Sequence, residues 1–345
     1  MYRERHGSVD GIGDYCEKLE SALRVAGADA RTVAWRGRGI DVNEGSLILQ
    51  YNPFSFGRWG FAPRLVVDLV ALKRRRPTVQ LAVMVHEAFL RAASPKSLVM
   101  AAWQRLQLRA VLSVADVVMV STSAWRPLLP SRRVPITAPV GSNLPDRRER
   151  RRDQRRALDA GSETVVLATF GTNHPARLMD YVVAAANASA AGHQPVMLLC
   201  LGAGTPPLKG LDPTVTLRRP GRQSDGELAT ELSAADIYLA PFADGLTTRR
   251  TTLMAALQHA LPVVGTDGPH TEPGLRDEQA AICWTPIGDP DRFADATLRL
   301  ACDWALRQRR GAAARALFER RFTWELIADT VLAALATSPE GEGWQ

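Results

Sequence analysis

The stretch from Ala234 to Thr266 constrains this chain more than any other. Ile237-Tyr238-Leu239-Ala240 is a short apolar run, the pattern of a strand buried on both faces of a parallel sheet. Pro241 ends it, and Asp244-Gly245 has the composition of the turn that follows. The sequence predicts a helix opening at Thr247 to Arg250. This puts Thr248, Arg249 and Arg250 where free backbone N–H groups and the helix dipole favour an anion. Leu253, Ala256, Leu257 and Leu261 give that helix one apolar side, and Pro262 stops it before a second buried strand at Val263-Val264. Such a unit places a phosphate cradle at the carboxyl edge of a parallel sheet. An ordinary βαβ unit without a ligand has the same outline, so the rest of the chain must decide between them.

At 345 residues the chain has room for two domains of that kind. Its 46% hydrophobic and 23% charged residues are those of a globular protein. No apolar run approaches the roughly eighteen residues of a membrane span, and the N-terminus has no signal-peptide core. Cys16, Cys200, Cys283 and Cys302 are scattered without metal-ligand spacing, which fits a reducing cytoplasm. A net charge of +7 is compatible with nucleic acid, an anionic membrane surface or phosphorylated substrates. No zinc-finger, RRM or helix-turn-helix signature accompanies it, which argues against nucleic acid. Lys73-Arg74-Arg75-Arg76 reads as the charged end of a helix, or as part of a basic face for peripheral contact with an anionic membrane.

Before the central stretch the chain alternates strands and helices. A polar start leads through Val9-Asp10 into the turn Gly11-Ile12-Gly13 and a helix carrying Leu19 and Leu23. Residues 30–35, 46–51, 79–85, 117–120 and 135–140 read as strands, with helices predicted over 63–73 and 98–115. The strand at 79–85 delivers His86-Glu87 to its carboxyl end, the ligand-binding edge of a doubly wound sheet. Gly141-Ser142-Asn143-Leu144-Pro145 closes this first series. Seven arginines between 147 and 156 then mark a solvated linker over 146–162. The second series has strands at 165–169, 196–201, 215–217, 237–240, 263–264 and 281–284. Gly171 and Arg177 follow the first of these strands. Asp289-Pro290-Asp291 looks like a metal motif, yet its place before a helix suits a cap.

In its order of segments the chain resembles the retaining, family 4-like glycosyltransferases of GT-B fold. The residues that carry the resemblance are Gly11-Ile12-Gly13 and Tyr15, His86-Glu87, Ser142-Asn143-Leu144-Pro145, Phe170-Gly171 with Arg177, the run from Ala235-Asp236 to Pro262-Val263-Val264, and Phe322-Thr323-Trp324-Glu325. It covers almost the whole chain. It also departs from the family at several points. Little chain precedes the glycine turn, where the family has a strand, so that strand is expected to be missing or the start to be late. Asp244 stands at the family's first glutamate, Ala255 at the second, which grips the donor ribose, and Ala260 at its glycine. Thr172 stands where the family has an arginine partner for the Arg177 position.

The resemblance implies two Rossmann-like α/β domains facing each other across a cleft. Residues 1–145 would be acceptor-side and 163–335 donor-side, with a last helix able to pack back on the first domain. It implies transfer of a sugar from a nucleotide-sugar donor, with retention of configuration, to a small-molecule, saccharide or lipid-linked acceptor. His86 and Arg177 would be the catalytic residues. Gly11, Ile12, Gly13, Gly171, Asp244, Gly245, Thr248, Arg249 and Arg250 would hold the donor phosphates, and Glu87 and Asn143 would face the sugar. No metal and no cofactor is implied. Two other readings stay open at the level of sequence: a GT-B enzyme of different chemistry, such as a pseudo-glycosyltransferase or sugar-nucleotide epimerase, and a non-catalytic nucleotide-sugar-binding protein.

Overall fold

The computed structural model describes residues 1–2, 11–90, 94–192, 194–204 and 207–337. The polar start from Arg3 and Val9-Asp10 of the glycine turn lie outside the described residues. The chain divides into two compact units, Met1–Val140 with Trp324–Gln345, and Gly141–Thr323. No helix among the described residues is long and apolar enough to cross a membrane.

The first unit is built on a parallel sheet of β1 (Ser46–Tyr51), β2 (Gln80–Val85), β3 (Val117–Val120) and β4 (Ile136–Thr137), in that order. β2 and β3 are almost wholly buried, as continuous apolar strands must be when helices cover both faces. Met1 and Tyr2 lie between β1 and residues 33–35. The Gln50 N–H donates to the Met1 carbonyl at 2.9 Å, and the Trp35 N–H to that of Tyr2 at 2.7 Å. The strand predicted over 30–35 shrinks to a bridge at Ala34, because among the described residues Tyr2 is its only pairing partner. The strand predicted over 135–140 likewise pairs only at Ile136–Thr137. The helix Trp324–Ala336 packs on the helix Gly11–Val25, where the Trp324 and Tyr15 rings meet edge to face at 5.2 Å.

In the second unit β5 (Val165–Phe170), β6 (Val196–Leu201), β7 (Thr216–Arg218), β8 (Ile237–Ala240), β9 (Val263–Asp267) and β10 (Ile282–Pro286) are all parallel. Their order is β10-β9-β8-β5-β6-β7. The winding reverses between β5 and β8, so the crevice outside their carboxyl ends is the topological switch point. The helices Met179–Ala191 and Pro290–Cys302 cover one face together, with Tyr181 against Phe293 at 5.6 Å. Asp289 caps the second of them, accepting from the Arg292 N–H at 2.9 Å with Pro290 at the first position.

Two local features differ from the sequence expectation. The arginines at 147–156 are not solvated throughout: Arg151 and Arg155, in the helix Arg151–Ala157, hydrogen-bond to Asp236 and to the carbonyls of residues 233–235. The helix Trp304–Arg321 was not predicted, because only Gly311, Ala314, Leu317 and Phe318 of its eighteen residues are buried; at Gly311 a Cβ would lie 2.4 Å from the Ala260 carbonyl oxygen. Ala260 itself follows the helix Thr251–Gln258 with φ +57°, a left-handed conformation that glycine takes without strain. Ala260→Gly is therefore expected to raise the unfolding free energy by about 1 kcal/mol, read by chemical denaturation.

Candidate functional site

Several of the residues singled out in the sequence fall together at the β5/β8 switch point. Phe170 ends β5 and Gly171 turns the chain away with φ +142°. The segment then returns so that Arg177 bridges Phe242, just beyond β8, with the Ala243 N–H donating to the Ala176 carbonyl at 2.8 Å. The Arg177 guanidinium folds back over this turn. It donates to the carbonyls of Gly171 at 3.2 Å and Thr172 at 3.1 Å, and to Thr169 Oγ1 at 2.9 Å. Burial lowers its pKa from the ordinary arginine value, and the neighbouring Tyr238 and Cys200 oppose that shift. Tyr238 in turn is pushed up, chiefly by burial.

The loop after β8 is the second wall. Its backbone is stapled to the segment after β9: the Glu272 N–H donates to the Leu246 carbonyl and the His270 N–H to that of Asp244, both at 2.9 Å. The Phe242 N–H reaches Thr266 Oγ1 at 2.8 Å. Gly245 sits with φ +86° against this staple, and a Cβ there would lie 2.1 Å from Thr271 Oγ1 and 2.8 Å from the Gly268 nitrogen. Only glycine fits, which is the physical content of the Asp244-Gly245 turn.

Thr247 to Arg250 differ from expectation. They belong to the loop, and the helix begins at Thr251 with Arg250 in an extended conformation before it. Asp244 holds both arginines out of helical geometry: its Oδ2 accepts from Arg249 at 3.1 Å and its Oδ1 from Arg250. The Arg250 guanidinium also stacks 3.6 Å above the centroid of the Phe242 ring, a cation–π contact that fixes its plane. Thr248 is buried and donates to Glu272 Oε2 at 3.2 Å, and the buried Thr247 Oγ1 has no hydrogen-bond partner among the described residues. Three guanidinium groups thus line one sheet edge, with Asp244 between two of them and Glu272 buried behind Thr248. An anionic ligand there gains two-point hydrogen bonding from each planar fork and displaces part of the Asp244 pairing.

Ala255 is buried in the first turns of the helix, so the side chain at that register offers no acceptor. Glu272, which no sequence pattern singled out, is the buried carboxylate of this edge. It lies seventeen residues beyond the expected register, on a loop whose placement depends on tertiary hydrogen bonds. Phe242 was missed for the same reason. Asn143, at the start of the second unit, is half-buried, and its Oδ1 is enclosed without a partner among the described residues.

The first unit holds the other predicted residues. Gly11, Ile12 and Gly13 form the first turn of the helix Gly11–Val25. His86 follows β2, with Nε2 2.8 Å from Gln50 Oε1 and its ring edge-on to Tyr15 at 4.7 Å. Its carbonyl accepts from Trp125 Nε1 at 3.2 Å, and the neighbouring Glu87 Oε2 accepts from Asn52 Nδ2 at 3.4 Å. Burial pushes the His86 pKa down to about 4, so the ring is neutral at neutral pH. Because the folded value lies below the ordinary one of about 6.5, the unfolded chain binds more protons between those limits. This contribution to stability is complete above about pH 6.5 and is lost as the pH falls towards 4. Discounted for the ring's partial exposure, it is worth about 2 kcal/mol. Denaturant titrations at pH 7 and pH 4.5 should show His86→Gln losing less stability on acidification than the parent.

Comparison with known proteins bears on the fold that carries this edge. Residues 164–303, which span the switch-point sheet, match the family described as Glycosyl transferases group 1. No curated protein sequence matches the chain. Among solved structures it is similar to sucrose-phosphate synthase from Thermosynechococcus elongatus, at 17% identity and a TM-score of 0.66, covering 94% of this chain and 92% of that one. WaaG, a glycosyltransferase involved in lipopolysaccharide biosynthesis, gives 13% identity and a TM-score of 0.65 over 97% of both chains. Anabaena HepE in complex with UDP-glucose gives 17% identity and a TM-score of 0.55, covering 84% of this chain and 78% of that one. These likenesses show the fold: two parallel-sheet α/β units of the GT-B type.

Proposed function

We propose that the chain transfers a sugar from a nucleotide-sugar donor to an acceptor hydroxyl, with retention of configuration and without a metal. The observation that carries this reading is the cluster of Arg177, Arg249 and Arg250 at the switch point, inside the segment that matches the glycosyltransferase family. A departing nucleoside diphosphate carries its developing charge on the phosphate oxygens, and preorganised guanidinium groups stabilise that charge as a metal does elsewhere. The sugar C1–O bond to phosphate breaks while a bond from C1 to the acceptor oxygen forms on the same face. The acceptor proton passes to the departing phosphate oxygen, so no side-chain base is assigned. His86, neutral at working pH, is proposed to act on the sugar, with Glu87 and Asn143 as further sugar-facing groups. The helix start Gly11-Ile12-Gly13 is proposed as a second diphosphate contact. The four free cysteines suit a reducing cytoplasm.

UDP-glucose, bound by a structural neighbour, is the first donor to try, followed by a panel of other nucleotide sugars. The donor should raise the melting temperature, and labelled sugar should be transferred or released in EDTA as well as in Mg2+. Product NMR should show the anomeric configuration of the donor. A panel in which donors raise the melting temperature but no sugar ever leaves would favour a non-catalytic binding protein, a reading that the buried Ala255 supports. Release of an epimerised nucleotide sugar would favour the epimerase.

A further inference from the structure

The helix Pro95–Ser113 is apolar on two sides. Met100, Ala101, Leu108, Val111 and Leu112 face the core. At 3.6 residues per turn, Leu98, Val99, Ala102 and Leu106 share the opposite face with Arg109. The outer side chains remain in solvent, Leu98 57%, Val99 58% and Leu106 70% exposed. The turn Arg58-Trp59-Gly60-Phe61 continues this surface. The Trp103 Nε1–H donates to the Trp59 carbonyl at 3.2 Å, and Phe61 meets the Trp103 ring at 5.8 Å. Trp59 and Phe61 are about half exposed. Trp59 is held at φ +57°, a strained conformation for a bulky residue, fixed by hydrogen bonds from Trp103 and Gln104 to its carbonyl.

Cations dominate around this surface, although Arg64 is paired with the buried Asp68 at 2.9 Å. Segments 52–67 and 94–115 contain Arg58, Arg64, Lys96, Arg105 and Arg109 and no acidic residue. Arg58 and Lys96 lie over the Trp59 ring at 4.8 and 5.2 Å, and Arg105 lies over Phe89 at 4.4 Å. Exposed aromatics and leucines rimmed by long cationic side chains match an anionic bilayer surface, where rings sit at headgroup depth and cations meet lipid phosphates. A protein partner would need acidic residues against the same rim, whereas a bilayer supplies negative charge and an apolar layer together.

We propose that this face of the first unit docks on an anionic lipid surface. The proposal is independent of the donor-site reading, because its test contains no donor. Vesicles of phosphatidylcholine alone and vesicles carrying about a third phosphatidylglycerol are sedimented with the full chain at about 0.1 M and about 0.5 M salt. The parent should bind the anionic vesicles at low salt, more weakly at high salt, and neutral vesicles little. Leu98→Ser with Leu106→Ser, and separately Lys96→Glu with Arg105→Glu, should each weaken binding at least about tenfold, since each cation near the surface is worth roughly fivefold. Arg152→Glu, an exposed change in the second unit, should leave it unchanged. The proposal is overturned if the parent ignores anionic vesicles, or if Arg152→Glu costs as much as the patch variants. It is also overturned if sedimentation velocity shows a dimer that the leucine variant abolishes, because a second copy then covers the face.

Discussion

Asp236→Ala is expected to lower the unfolding free energy of the second unit by about 3–5 kcal/mol, the cost of removing one partner from a largely buried charge network. Asp236 sits at the entrance to β8 with its side chain 11% exposed. Its Oδ2 accepts from Arg155 at 2.9 Å and from the Val166 N–H at 2.8 Å, and its Oδ1 accepts from Arg151. Arg155, 14% exposed, also donates to the carbonyls of Gly161 and Thr164 at 2.7 Å. The carboxylate therefore ties the helix Arg151–Ala157, the lead into β5 and the lead into β8 to one point. Its removal leaves two guanidinium groups with backbone carbonyls but no counter-charge, and one strand N–H without its acceptor. Asp236→Asn keeps the shape without the charge and should fall between variant and parent. Denaturant unfolding of the three proteins checks the order, and equal midpoints would show that the arginines find other acceptors.

Arg177→Ala should lower kcat/KM for sugar transfer by about 10²–10³, or about 2.7–4 kcal/mol, if its guanidinium stabilises the departing diphosphate. The same side chain also holds the Gly171 and Thr172 carbonyls, so a loss of loop order alone could mimic part of that effect. Arg177→Lys separates the two. A lysine restores charge at the phosphate but not the three-way hydrogen bonding of the turn. Recovery of kcat without recovery of melting temperature assigns the charge to catalysis, while the reverse assigns it to the loop.

The second sheet was legible in the sequence because its strands are apolar on both faces: Val196–Leu201 and Ile237–Ala240 are buried throughout. The Gly245 turn was legible because a tight turn needs a residue type that the sequence displays. What the sequence hid was tertiary. The arginines at 249 and 250 look like a helix start until Asp244, five and six residues earlier, draws both into the loop. Glu272 carries no local pattern, and it enters the site only because the Leu246 carbonyl and Thr248 hold its loop. The arginines at 151 and 155 read as solvated because their acceptor, Asp236, lies about eighty residues away. Charge runs lack the periodicity that reports burial, so their partners emerge only from the fold.

The central claim is that the β5/β8 edge holds a donor diphosphate through its arginines. Calorimetric titration of a nucleoside diphosphate and of the bare nucleoside, into the parent and into Arg250→Ala, tests it most directly. The diphosphate should bind the parent far more tightly than the nucleoside. Arg250→Ala should cost the diphosphate about 1.5–3 kcal/mol, roughly 10- to 150-fold in Kd, and the nucleoside almost nothing. Equal binding of diphosphate and nucleoside to the parent, or an Arg250→Ala variant that binds the diphosphate as the parent does, would contradict it.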